Sequence, residues 1–148
     1  MNSRNGAFHH VGDQARYLPT LQGSFHNLLR DEFENAINQM PPGVERLLAA
    51  SRAYLDVCLR HPGVRTPLLE IPADAPIADA VRAHDAQMAE ICSADFRAMG
   101  WPQPLDAARL WVGIVAEGAF VEFDTGGSND NLRAVLRWFL GCRQTQRG

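Results

Sequence analysis

Apolar positions along this chain recur mostly at spacings of three and four, and in one stretch they scarcely stop. Phe25, Leu28, Leu29, Phe33, Ala36, Ile37 and Met40 form one helical stripe. Ser24 stands where an N-cap belongs, and Pro41-Pro42-Gly43 ends the run. A second helix is predicted from about Pro42 to Arg60. Its stripe is Val44, Leu47, Leu48, Ser51, Tyr54, Leu55, Cys58 and Leu59, and Glu45, Arg46, Arg52, Asp56 and Arg60 lie opposite. The apolar segment Val64 to Ile71 fits a helical turn or two, with Pro67 in its first turn. A longer helix is predicted from Ala75 to Met99, capped by Asp74 and closed by Gly100. Ile77, Val81, His84, Met88, Ile91, Cys92, Phe96 and Met99 line one side. Residues 1–22 carry no helical period and are read as mostly irregular, with at most a short helical piece near Asp13 to Tyr17.

The two arms of the stretch Pro104 to Leu140 differ in kind. From Ala107 to Val121 only Arg109 and Glu117 interrupt the apolar residues. A helix apolar nearly all round is buried nearly all round, yet this one is too short to span a bilayer. The domain's own core covers one face, and a second copy of the chain is the simplest cover for the other. After a Gly126-Gly127 turn, with Ser128 as cap, Leu132, Val135, Leu136, Phe139 and Leu140 mark a final amphipathic helix. The expectation is a homodimer whose interface includes Ile114, Gly118, Val121, Leu136 and Phe139. No segment alternates with period two for the length of a strand. The fold class expected is therefore all-α, an antiparallel bundle of five to six helices over residues 24–143, preceded by an irregular segment over 1–23.

Composition narrows the function. The chain has 148 residues and a net charge of −3, with 14 basic residues, every one an arginine. That set, with abundant alanine, fits a GC-rich bacterial coding sequence. No basic cluster offers phosphate contacts, so strong non-specific nucleic-acid binding is not expected. Cys58, Cys92 and Cys142 are odd in number and widely spaced, which argues against a disulfide framework or zinc knuckle. They read as small buried hydrophobes in a reduced compartment. The N-terminus lacks the apolar core of a signal peptide, and the expected location is the cytoplasm.

Candidate chemistry is sparse. His9-His10 reads as an exposed pair in an irregular tail. Gly126-Gly127 precede a helix without any phosphate-loop motif. There is no nucleophile elbow and no evident carboxylate pair, so neither catalysis nor a cofactor or metal is expected. His84 lies on an apolar stripe, either as a core histidine bonded to a backbone carbonyl or as a polar handle in a ligand pocket. Glu117 breaks the most apolar helix, so it either faces solvent at the bundle's edge or is held by a partner such as an arginine. Gly118 beside it suggests close approach of another helix. Tyr54, Cys58, His84, Met88 and Trp111 place adaptable or polar-tipped side chains on apolar stripes. They are either plain core or the wall of a cavity of roughly 300 Å³ for a small apolar or amphipathic molecule.

Several segments, taken in order, resemble the C-terminal half of the tetracycline-repressor (TetR) family. They are Gly43-Val44-Glu45-Arg46-Leu47-Leu48, Leu59-Arg60-His61-Pro62, Ala108 to Ala119, and Leu132 to Gly141. The resemblance implies pairing of the last two helices with their mates in a four-helix bundle. It also implies an effector cavity between the middle helices that regulates DNA affinity. Such proteins carry a three-helix DNA-binding unit ahead of this half, which needs about 40 to 50 residues. Only 23 residues precede Ser24, where Gly23-Ser24-Phe25-His26 vaguely resembles the start of a recognition helix. The expectation is a member whose DNA-binding unit is missing or degenerate. The alternatives are a partner protein that heterodimerises with a full-length relative, and an unrelated small all-α protein.

Overall fold

The computed structural model describes residues 24–61, apart from Phe25, and residues 75–141. The described part is all-helical, with five helices and no strand. They are α1 (residues 26–37, with residue 24 also helical), α2 (Val44–Arg60), α3 (Ala75–Ala98), α4 (Pro104–Thr125) and α5 (Asp130–Phe139). The expected segments over 1–22 and 64–71, the Asp74 cap, Cys142 and the polar tail lie outside the described residues.

Local chemistry sets the boundaries. Gln39 takes a left-handed φ of 67° just after α1, and Met40 N–H donates to the Ile37 carbonyl at 3.0 Å. Gly100 has φ 83°, and Trp101 N–H reaches back to the Phe96 carbonyl, so α3 ends in a left-handed closing turn. Pro104 occupies the first turn of α4, where its missing N–H costs nothing. The cap of α5 is Asn129, one residue after the expected Ser128. Its side chain accepts from Leu132 N–H at 3.0 Å.

The bundle is organised around α4, which packs on α2, α3 and α5. The turn over residues 99–103 folds α4 back along α3, the most extensive pairing in the molecule. Leu47, Leu55, Val57, Phe96, Ala108, Trp111 and Ala119 make the centre of the core, with Leu29 and Phe33 closing it from α1. Phe96 meets the edge of Trp111 at a ring distance of 6.3 Å. α4 is not buried on every side: Leu110 is 72% exposed, and Gly113, Glu117 and Phe120 are exposed too. No helix among the described residues is long and apolar enough to cross a membrane.

Candidate functional site

Two features could act, a cleft in the core and a groove on the surface. The cleft lies between α1, α2, α3 and α4. Its walls include Phe33, Ser51, Tyr54, His84, Asp85, Met88, Cys92 and Trp111. Four of the five residues expected to meet there do so: Tyr54, His84, Met88 and Trp111. Cys58 does not. It is buried in the core one turn of α2 beyond Tyr54, past the end of the cleft.

The polar tips are largely engaged in holding helices together. Trp111 Nε1 donates to Ser51 Oγ at 3.0 Å, and that hydroxyl donates to the Leu47 carbonyl at 2.8 Å. The His84 ring is buried and stacks on His26 of α1, with centroids 4.0 Å apart and planes 7° from parallel. Burial, and secondarily the negative charge of Asp95, push the Cys92 thiol up to about 12, so it stays protonated.

The cleft is much smaller than a cavity of roughly 300 Å³. The centre of a water-sized sphere can occupy only about 40 Å³ of it. That admits a few waters. Met88, Cys92 and Trp111 pack within the core, and Tyr54 packs against it. The side chains that a pocket would use are thus mostly spent on one another.

The second feature is a groove between α4 and α5, lined by Ile114, Glu117, Gly118, Val121, Leu132, Val135, Leu136 and Phe139. All five residues expected at an interface line it. It offers about 250 Å³ to a water-sized sphere's centre. Leu136 is buried within the chain, whereas Phe139 is 58% and neighbouring Trp138 is 65% exposed. Gly118 is also buried, and it approaches side chains of α5 and α2 closely within the chain. A Cβ there would stand 3.2 Å from Leu132 Cδ2 and 3.7 Å from Leu55 Cδ2. Gly118 and Leu136 therefore form the floor of the groove, and a docking helix would meet its rim. Glu117 is exposed on that rim in the single chain.

The buried carboxylate of α4 is instead Glu122, at 0% exposure. Its Oε2 accepts from Asn129 N–H and from Arg133 Nε, each at 2.8 Å, and its Oε1 accepts from Arg133 Nη2 at 2.9 Å. Arg133 Nη1 also donates to Asp56 on α2 at 2.8 Å. Burial pushes the Glu122 carboxyl up, but the Arg133 and Asn129 hydrogen bonds outweigh it and hold it below its ordinary value. Arg133 is raised in turn, first by its bond to Glu122.

A second ion pair joins α2 to α3. Asp95 Oδ1 accepts from Arg46 Nε at 2.6 Å and from Gly43 N–H at 2.9 Å. It thereby takes up one of the orphan donors at the start of α2. Arg46, read from the sequence as solvent-facing, is thus drawn inward. The sequence did carry a signal for Glu122. Trp111, Val115, Gly118 and Glu122 follow at spacings of four, three and four, which puts Glu122 on the buried stripe.

These acid–arginine clusters connect α2 to α3, and α5 to both α4 and α2. Among the described residues no group of three or more His, Cys, Asp or Glu is placed to hold a metal ion. No family model, curated protein or solved structure matches the chain.

Proposed function

We propose that this chain is a dimerisation and effector-sensing domain of the transcription-regulator type, similar in plan to the C-terminal half of the tetracycline-repressor family. The observation that carries the reading is the apolar groove between α4 and α5, with exposed Leu110, Val135, Trp138 and Phe139 around it. Exposed apolar side chains in such number on two adjacent helices mark an interaction surface. A second copy presents the same surface, and an isologous contact between the two closes on itself.

The sensing part of the proposal rests on the cleft under His84. A small apolar or amphipathic guest enters it by parting α1 from α3, since the space at rest holds only a few waters. His26, stacked on His84, is the group such a guest displaces first. DNA binding by this chain alone is expected to be weak or absent, because it is acidic and has no basic cluster.

The test is Val135→Glu and Phe139→Glu, examined by light scattering with circular dichroism as the control for folding. Both sites are exposed, so helix content should be retained while the dimer is lost. A dimer that survives both substitutions refutes this reading.

A further inference from the structure

A pocket between α2 and α5 gathers three arginines that stand far apart in the chain. Leu48, Arg52 and Leu55 follow one another on one face of α2, and Arg133, Leu136 and Arg137 share a face of α5. The three leucines are buried and make the floor, and the three arginines complete the lining. Among the described residues no carboxylate lines this pocket. It shares only Leu136 with the groove between α4 and α5.

The acids of this region hold two of the arginines from outside the pocket. Glu122 and Asp56 take three of the five N–H donors of Arg133, which fixes the direction of its fork. Arg137 holds Glu45 at 2.9 and 3.2 Å. That pair is exposed, so it contributes little and gives way readily. Arg52 forms no ion pair among the described residues. Its charge is still felt nearby: the Glu45 carboxyl is held low first by its bond to Arg137 and, more weakly, by Arg52. The centre of a water-sized sphere can occupy about 60 Å³ of the pocket, room for one small group and not for a drug-sized body.

We propose that this pocket binds a single small oxyanion group, a carboxylate or a phosphate, against the guanidinium groups of Arg52 and Arg137. Planar guanidinium forks match both groups two bonds at a time, and the leucine floor lowers the local dielectric and strengthens such bonds. Glu45 and Asp56, both exposed beside it, repel a chain of phosphates, so the site takes one small anion and not a nucleic-acid backbone. The proposal does not rest on the dimer reading.

Nitrogen-15 NMR titration of the wild-type chain with inorganic phosphate, and separately with acetate, tests it at fixed pH with ionic strength held by chloride. Saturable shifts are expected at Arg52, Arg137 and their neighbours on α2 and α5, with a midpoint in the low millimolar range. Arg52→Gln, at an exposed helical position, keeps the fold and is expected to weaken binding about 10-fold. Arg97→Gln removes the same charge from an exposed position on α3, outside the pocket, and is expected to change nothing. Saturation by both anions supports the oxyanion class, and saturation by one alone assigns the site to phosphate or to carboxylate. Saturation by neither, equal affinity in wild type and Arg52→Gln, or an equal loss in Arg97→Gln overturns the proposal.

Discussion

Arg133→Ala isolates the least obvious element holding the bundle together. The substitution leaves Glu122 at 0% exposure with the Asn129 N–H as its remaining hydrogen-bond donor. It also frees Asp56, but that contact is half exposed and contributes little. Removing one partner of a buried ion pair costs about 3–5 kcal/mol. Arg133 is itself partly open to water and one donor to Glu122 survives, so the lower end, about 3 kcal/mol, is the figure expected here. For a chain of this size that lowers the melting temperature by on the order of 10 °C.

The assay is urea denaturation followed by circular dichroism, at one protein concentration so that the proposed self-association would contribute equally to both variants. The pH dependence supplies a second readout. Glu122 has a depressed folded value, so its contribution is fully present above the unfolded value and is lost as pH falls through the folded one. The gap between wild type and Arg133→Ala should therefore narrow as the solution is acidified toward the depressed folded value of Glu122, because the variant, without Arg133, protonates this buried carboxyl first. Replacing both partners, Glu122→Leu with Arg133→Met, should recover most of the loss. A loss under about 1 kcal/mol at neutral pH, or a gap indifferent to acid, refutes the account of this cluster.

Gly118→Ala should be close to neutral: the flexible Leu132 tip can yield a few tenths of an ångström, and alanine gains about 1 kcal/mol of helix propensity. Gly118→Leu should destabilise the folded chain by about 1–3 kcal/mol through overpacking, measured by the same denaturation. Asp95→Ala should cost about 3 kcal/mol or more, since it strands Arg46 and the Gly43 N–H; a change under about 1 kcal/mol contradicts this. Cys58 and Cys92 are buried, and Cys92 is held protonated. A thiol reagent at mildly alkaline pH should therefore modify at most one of the three cysteines until the protein is unfolded.

The described helices were legible in the sequence because their boundaries rest on local chemistry: the Pro104 start, the Gly100 and Gly126 ends, and stripes of period near 3.6. The residues that line the α4–α5 groove were legible for a related reason. An apolar residue such as Phe139 on an exposed face leaves its mark in composition. The polar connections were harder to read. Glu122 and Asp95 are buried because distant Arg133 and Arg46 reach them, and nothing local announces a partner 11 or 49 residues away. The contrast with Glu117 was a matter of phase: five residues separate it from Glu122, about 140° around the helix. The cleft was legible in its membership but not in its size, which depends on how far Met88 and Trp111 fill it.

Sedimentation equilibrium of the wild-type chain over a range from low to high micromolar tests the central claim most directly. The α4–α5 groove, with Leu110, Val135, Trp138 and Phe139 open to water, predicts a reversible approach to twice the 16.4 kDa of one chain. A single species of 16.4 kDa across the whole range would contradict it.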